Sequence, residues 1–169
     1  MNRQIIVTHL EITDPAELRP AKPPRVEHVA IERVEPPDGA VSRWFYEEVG
    51  RPHFWVDRLG HSDAEWQAHA DQVETWVATV GGERAGYAEL KPEGDHVQLA
   101  YFGLLAGFQG GGLGGHLLTF ALRRGLELGP RVRVHTCTLD GPHALANYQA
   151  RGMRPYDQRI GWNVAATPE

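Results

Sequence analysis

Gln109-Gly110-Gly111-Gly112-Leu113-Gly114-Gly115 is the stretch from which the rest of the chain is read. It stands between residues 97–104 (VQLAYFGL), a strand-like run, and residues 113–128. In the latter, apolar side chains at 113, 117, 118, 121, 122, 126 and 128 recur with the period of a helix. A glycine-rich turn between a strand and a helix leaves several backbone N–H groups aimed at one point, at the positive end of the helix dipole, and so is a ready site for phosphate. Glycines suit it because a Cβ would block close approach and because some positions need φ > 0. A bare connection would need only one or two of them. The nucleoside-triphosphate loop pattern fails, because His116 and Leu117 follow where Lys and Ser or Thr are required. Gly110, Gly112 and Gly115 match the G-x-G-x-x-G of dinucleotide-binding domains. Such a domain would continue through further βα units, with an acid about 20 residues on. Here the chain runs only to Glu169, and the preceding strands come as hairpins, so NAD is disfavoured.

Working back from the turn, residues 75–80 and 85–90 are strands joined by Gly81-Gly82, a hairpin signal. Ser62 and Glu65 have capping-box spacing and open a helix. Residues 51–60 are an aromatic loop, 40–49 a short helix, and 5–12 and 26–34 strands separated by a stretch holding Pro15, Pro20, Pro23 and Pro24. Working forward, Gly129-Pro130 stops the long helix. A strand over 132–139, a short helix over 142–151, and two short strands over 153–157 and 159–164 follow. Composition predicts that the first 25 or so residues and the last five are loosely tied.

The 169 residues suit one domain spanning 1–169, and the 41 % apolar content supports a real core. With 17 basic and 22 acidic residues and no basic block, composition gives no support to a nucleic-acid partner. The lone Cys137 cannot form an internal disulfide. No signal-peptide run and no bilayer-length apolar stretch is present, so the expectation is a cytoplasmic protein that does not engage a membrane.

Gln109, Gly112 and Gly114 also fit Q/R-x-x-G-x-G/A, the pyrophosphate motif of the GCN5-related N-acetyltransferases (GNAT). A second motif falls at matching spacing: Gly141-Pro142-His143-Ala144, then Tyr148, then Gly152-Met153, against the N-P-x-A-x-x-x-Y-x-x-x-G-F of that superfamily. Gly141 replaces the usual Asn and Met153 the usual Phe. The chain resembles the superfamily over nearly its whole length. The resemblance implies an α/β (α+β) fold with a mixed, mostly antiparallel sheet of about seven strands and about four helices. It also implies that the sheet splays between its fourth and fifth core strands, which are residues 97–104 and 132–139. It implies acetyl-CoA as co-substrate, with no metal, and transfer of the acetyl group to a primary amine in a ternary complex. Cofactor-binding residues would be Gln109, Gly110, Gly111, Gly112, Leu113, Gly114 and Gly115, together with backbone groups of Phe102, Gly103 and Leu104. An N–H near Leu104 would polarise the thioester carbonyl. Tyr148 would be the general acid for the departing thiolate, a role its neutral O–H suits.

The base is open. Relatives often carry a Glu where this chain has Val97 or Gln98, and the neighbouring candidates are Glu89, His135 and Tyr101. Glu89 reads equally as a solvated strand-end carboxylate, and His135 reads rather as a hydrogen-bonded buried imidazole. The aromatic segment supplies candidate acceptor-binding residues Trp44, Tyr46, Glu47 and Trp55, which could receive a cationic amine or simply pack the helices. The expected partner is a small-molecule or peptide amine, with a homodimer left open. The rival is a non-catalytic acyl-CoA-binding module, which would keep the glycine turn and dispense with Tyr148.

Overall fold

The computed structural model describes residues 2–164, so Met1 and the last five residues lie outside the described part of the chain. Eleven elements follow one another: β1 (Asn2–Ile12), β2 (Val29–Arg33), α1 (Gly39–Gly50), α2 (Asp63–Asp71), β3 (Glu74–Val80), β4 (Glu83–Pro92), β5 (Val97–Leu104), α3 (Leu113–Leu128), β6 (Val132–Cys137), α4 (Pro142–Ala150) and β7 (Arg154–Val164). Local chemistry accounts for several of their limits. Gly81 and Gly82 both take positive φ, 58° and 85°, so β3 and β4 join in a tight hairpin. Ser62 and Glu65 close a reciprocal capping box on α2.

The seven strands form one mixed sheet in the order β2-β3-β4-β5-β6-β1-β7, antiparallel everywhere except between β5 and β6. On one face α3 lays Leu117, Leu118, Ala121 and Leu122 on Leu90, Val97, Leu99 and Val132. On the other face α1 sets Phe45 and Val49 on Tyr87, with the Phe45 ring stacked at 4.8 Å. Each fully buried Leu, Val or Phe among them contributes about 1.5–3 kcal/mol.

The feature that shapes the molecule lies in β5. Leu90 pairs with Leu99 and Glu89 with Tyr101, so Ala100 is an extra residue, a β-bulge. Such a bulge bends its strand and adds twist. The parallel pairing of β5 with β6 covers only Val97 with Val132 and Gln98 with Arg133, and beyond it the strands part. The splayed sheet implied by the sequence is present.

Four expectations are corrected. The first residues are not loose: β1 is inserted between β6 and β7 and pairs with both. Its Leu10 and Ile12 are 0 % exposed. The two short closing strands are a single one, β7, in which Tyr156 is the unpaired extra residue between the Leu10–Pro155 and His9–Asp157 pairs. Strand β2 covers Val29–Arg33, not 26–34, with bends at 25–28. Strand β6 ends at Cys137, two residues early, because the Asp140 carboxylate accepts from Thr136 Oγ1 at 2.7 Å and the Cys137 N–H at 2.9 Å and turns the chain there.

The position of β1 makes a stability prediction. Leu10→Ala empties a fully enclosed site and is expected to lower the unfolding free energy by about 3 kcal/mol in denaturant titration. A loosely tied segment would give no measurable change.

Candidate functional site

Where β5 and β6 part, a cleft of about 1460 Å³ opens, floored by both strands and walled by the 53–57 loop, the glycine turn and α4. On one side it is lined by Phe102, Gly103 and Leu104 of β5, by Gln109, Gly110 and Gly112 of the turn, and by Gly114 and Gly115 of α3. Gly111 and Leu113 do not reach it. The Gly111 carbonyl accepts from the Arg25 N–H at 2.8 Å, and Leu113 is buried in the core. Gly112 caps α3 with φ 81°, a conformation suited to glycine. The first N–H groups of α3 have no partner inside the helix, so they and the turn amides are free to receive an anion.

Two residues that carry no motif of their own stand near that end. Arg151, the C-cap of α4, brings its guanidinium Nη1 to 3.1 Å from where a Cβ on Gly115 would stand, and Ala21 Cβ is closer still at 2.9 Å. Arg151 Nε is buried without a hydrogen-bond partner. The guanidinium thus stands next to Gly115, outside the lining of the cleft. Asn147 Nδ2 lies 3.7 Å from the corresponding position on Gly114, on the same side of the cleft. A polar amide thus reaches the glycine turn although Gly141 lacks one.

Tyr148 lines the cleft from α4 and packs its ring 6.1 Å from that of Phe102. Burial, and then the negative charge of Asp140, push its hydroxyl well above its ordinary value of 10, so it stays protonated. His135 stands on the cleft floor on β6, its ring 5.6 Å from that of His9 on the adjacent β1. The residue is exposed, yet the sheet atoms around the ring desolvate it. That desolvation, and then His9, hold its pKa below the ordinary 6.5, which favours the neutral imidazole.

Glu89 is elsewhere. It is 1 % exposed, not a solvated strand end, and it does not line the cleft. One carboxylate oxygen accepts from Ser42 Oγ at 2.6 Å and Thr75 Oγ1 at 2.7 Å, and the other lies 2.8 Å from His69 Nε2. It ties α1, α2, β3 and β4 together beneath Tyr101. Tyr101 itself lines the cleft; burial raises its pKa, and its hydroxyl accepts from Arg58 Nε at 2.8 Å.

The aromatic segment divides. Tyr46 and Trp55 line the cleft. Trp44 and Glu47 instead flank a separate cavity of about 390 Å³, with Asp63 and Trp66. Glu47 is held there by Arg43 Nε at 2.9 Å, and Trp44 packs edge-on against Phe45 under the Arg84 guanidinium. Asp140, unremarkable in the sequence, also accepts from Trp55 Nε1 at 3.3 Å, fixing the aromatic loop to the end of β6. Among the described residues no group of three or more His, Cys, Asp or Glu could hold a metal ion, and no helix is long and apolar enough to cross a membrane.

This geometry has relatives. The model of the acetyltransferase (GNAT) family matches residues 39–153. A GCN5-related N-acetyltransferase from Sphaerobacter thermophilus superposes with a TM-score of 0.70 at 16 % identity, over 94 % of this chain and 51 % of that one. A GCN5-related N-acetyltransferase from Kribbella flavida gives 0.66 at 14 % identity, over 96 % and 59 %. An IAA acetyltransferase from Bacillus cereus gives 0.58 at 23 % identity, over 77 % and 79 %. At such identities the likeness is one of fold. The chain spans between half and three fifths of the first two structures. No curated protein matches it.

The sealed surroundings of Glu89 lead to a prediction about its role. Glu89→Gln keeps the volume but puts an amide NH₂ in place of one of the two oxygens on which three donors converge. It is expected to lower the unfolding free energy by about 2–4 kcal/mol in denaturant titration. Affinity for ligands of the cleft should be unchanged.

Proposed function

The chain belongs to the acetyltransferase (GNAT) family, and on that premise we propose that it moves an acetyl group from acetyl-CoA directly to a primary amine held in the same cleft. One observation carries the reading. The two parallel strands part after two paired residues, and the gap runs from the free amides of the glycine turn to the hydroxyl-bearing Tyr148. The residues present fit acetyl-CoA: an anion site at the α3 N-terminus, leading into a slot with unpaired strand edges.

When bound, acetyl-CoA supplies an activated acyl group as a thioester. The amides of Gly110, Gly112, Gly114 and Gly115 would hold the diphosphate, and the free edge of β5 at Phe102, Gly103 and Leu104 would hold the pantetheine arm. In the reaction the amine nitrogen bonds to the carbonyl carbon and the carbon–sulfur bond breaks. The amine loses a proton and the thiolate gains one. Tyr148 is assigned the second transfer: its raised pKa keeps the proton in place until a thiolate forms beside it. His135 is assigned the first, directly or through water, because it faces the cleft and is biased toward the neutral form. Glu89, with its lone pairs taken by three donors, is left a structural role. Tyr46 and Trp55 would flank the acceptor, whereas Trp44 and Glu47 are too far round α1 to do so.

Two measurements test the reading. A Cβ on Gly114 would meet no protein atom closer than 3.6 Å, so Gly114→Val should keep the unfolding midpoint and fill the anion site. Calorimetry should then show the Kd for CoA raised about tenfold or more. Normal CoA binding in that variant would refute the site. Tyr148→Phe removes one oxygen from a packed ring and should leave CoA affinity intact while kcat falls by about 10²–10⁴-fold. If Tyr148 only packs, Phe will be tolerated and only truncation will do harm.

A further inference from the structure

The acceptor half of the cleft has a distinctive balance of charge. Beyond the parting point its floor is the bare half of the sheet, with His135 and Cys137 on β6 and His9, Val7 and Ile5 on β1. No Lys or Arg lines this space among the described residues. Arg58, next to Asp57 in the chain, does not line the space; its Nε donates to the Tyr101 hydroxyl at 2.8 Å and its guanidinium carbon stands 5.8 Å from the centre of that ring. Two carboxylates line the space, Asp57 and Asp140. Asp140 is engaged by Thr136 Oγ1, the Cys137 N–H and Trp55 Nε1. Asp57 is exposed at the mouth and makes no hydrogen bond or ion pair among the described residues.

The walls beside Asp57 are rings. Tyr46, Trp55 and Tyr101 pack against one another with centroids 5.4–5.7 Å apart. The mouth carries large apolar side chains facing solvent: Phe54 is 61 % exposed and Val56 45 % on one rim, and Trp162 is 66 % exposed on the other. Phe54 is held in the left-handed region at φ 60°, ψ 38°, by a loop whose next residue anchors to Asp140. Apolar surface of this size at a cleft mouth marks a binding surface.

Each acceptor chemistry demands something of such a cleft. An amino acid needs a cation for its carboxylate, and none lines the space. A polyamine or an aminoglycoside needs several free carboxylates, and there is one. A monoamine with an aromatic or otherwise apolar body needs ring walls, an apolar mouth and one negative charge to draw in its ammonium. Resting on the acetyl-transfer reading above, we propose that the acceptor is an arylalkylamine without an anionic group, and that Asp57 at the mouth of the ring-walled cleft selects for it. The ammonium is attracted by Asp57 and the rings, sheds its proton inside the cleft, and the free amine then takes the acetyl group as described.

The experiment pairs 2-phenylethylamine and tryptamine with phenylalanine and tryptophan, which add only a carboxylate, and with spermidine and a lysine-bearing peptide. Turnover is read as CoA thiol released and as acetylated product by mass. Binding of the same amines to the CoA-loaded protein is read by calorimetry. Each arylalkylamine should exceed its carboxylated counterpart in kcat/KM by about tenfold or more. Asp57→Asn should raise the amine KM about fivefold, with kcat and the KM for acetyl-CoA held. Asp57→Lys should raise it further and improve phenylalanine, a reversal that a structural role for Asp57 would not produce. Equal or better use of phenylalanine, spermidine or the peptide, or indifference to both variants, would overturn the assignment while leaving acetyl transfer standing. Amine binding that depends on Asp57 without thiol release would keep Asp57 as the residue that selects arylalkylamines and refute acetyl transfer.

Discussion

The extra residue in β5 is the constraint on which the remaining architecture depends. Before Ala100, Leu99 points into the core beneath α3; after it, Tyr101 points to the opposite face beside Glu89, and Phe102 returns toward Tyr148. One inserted residue thus switches the parity of the strand and bends it away from β6. The facing edges of β5 and β6 then carry backbone donors and acceptors with no ladder partner, in the middle of a sheet where such groups are normally paired. Water or a ligand must satisfy them, and a ligand with an amide-bearing arm does so with main-chain geometry.

A sheet opened in its middle needs other ties to stay one body. Strand β1 supplies most of them. It pairs antiparallel with β6 on one side and β7 on the other, and it sends Leu10 and Ile12 into the core shared with α3. Its Glu11 accepts from Arg133 Nε at 3.1 Å. On the other side of the gap, the Glu89 hub locks α1 and α2 to β3 and β4. The cleft is therefore bounded by two halves that are each rigid by themselves, joined by the α3 core and by two pairs of strand residues.

Much of this architecture is legible in local sequence chemistry alone. The limits of α3, the α2 capping box, the β3–β4 turn and the strand–turn–helix order at the glycine stretch rest on residues within a few positions of one another. The features that escape such a reading depend on distant partners. Nothing near residues 2–12 encodes that they pair with 132–137 and 154–164, and proline-rich flanks make the segment look loose. The run Trp44 to Glu48 is aromatic and acidic on every side, so it does not announce which face of α1 meets the cleft. Glu89 resembles any strand-end carboxylate until Ser42, His69 and Thr75 are seen to converge on it. Arg151 follows α4 like an ordinary solvated cap, and only the fold brings its guanidinium against Gly115.

The place of β1 also bears on how the molecule is made. On a ribosome this strand is synthesised before its neighbours β6 and β7, with most of the chain to come in between. Until α3 and β6 emerge, Leu10 and Ile12 have no complete core to enter, and the edge of β1 that β7 covers remains open longer still. Pairings between such distant segments form slowly, and unpaired strand edges invite association with other chains while they wait. Biogenesis of this protein should therefore be most vulnerable late, with the first strand sheltered by a chaperone or by transient non-native contacts until the last strand arrives to enclose it.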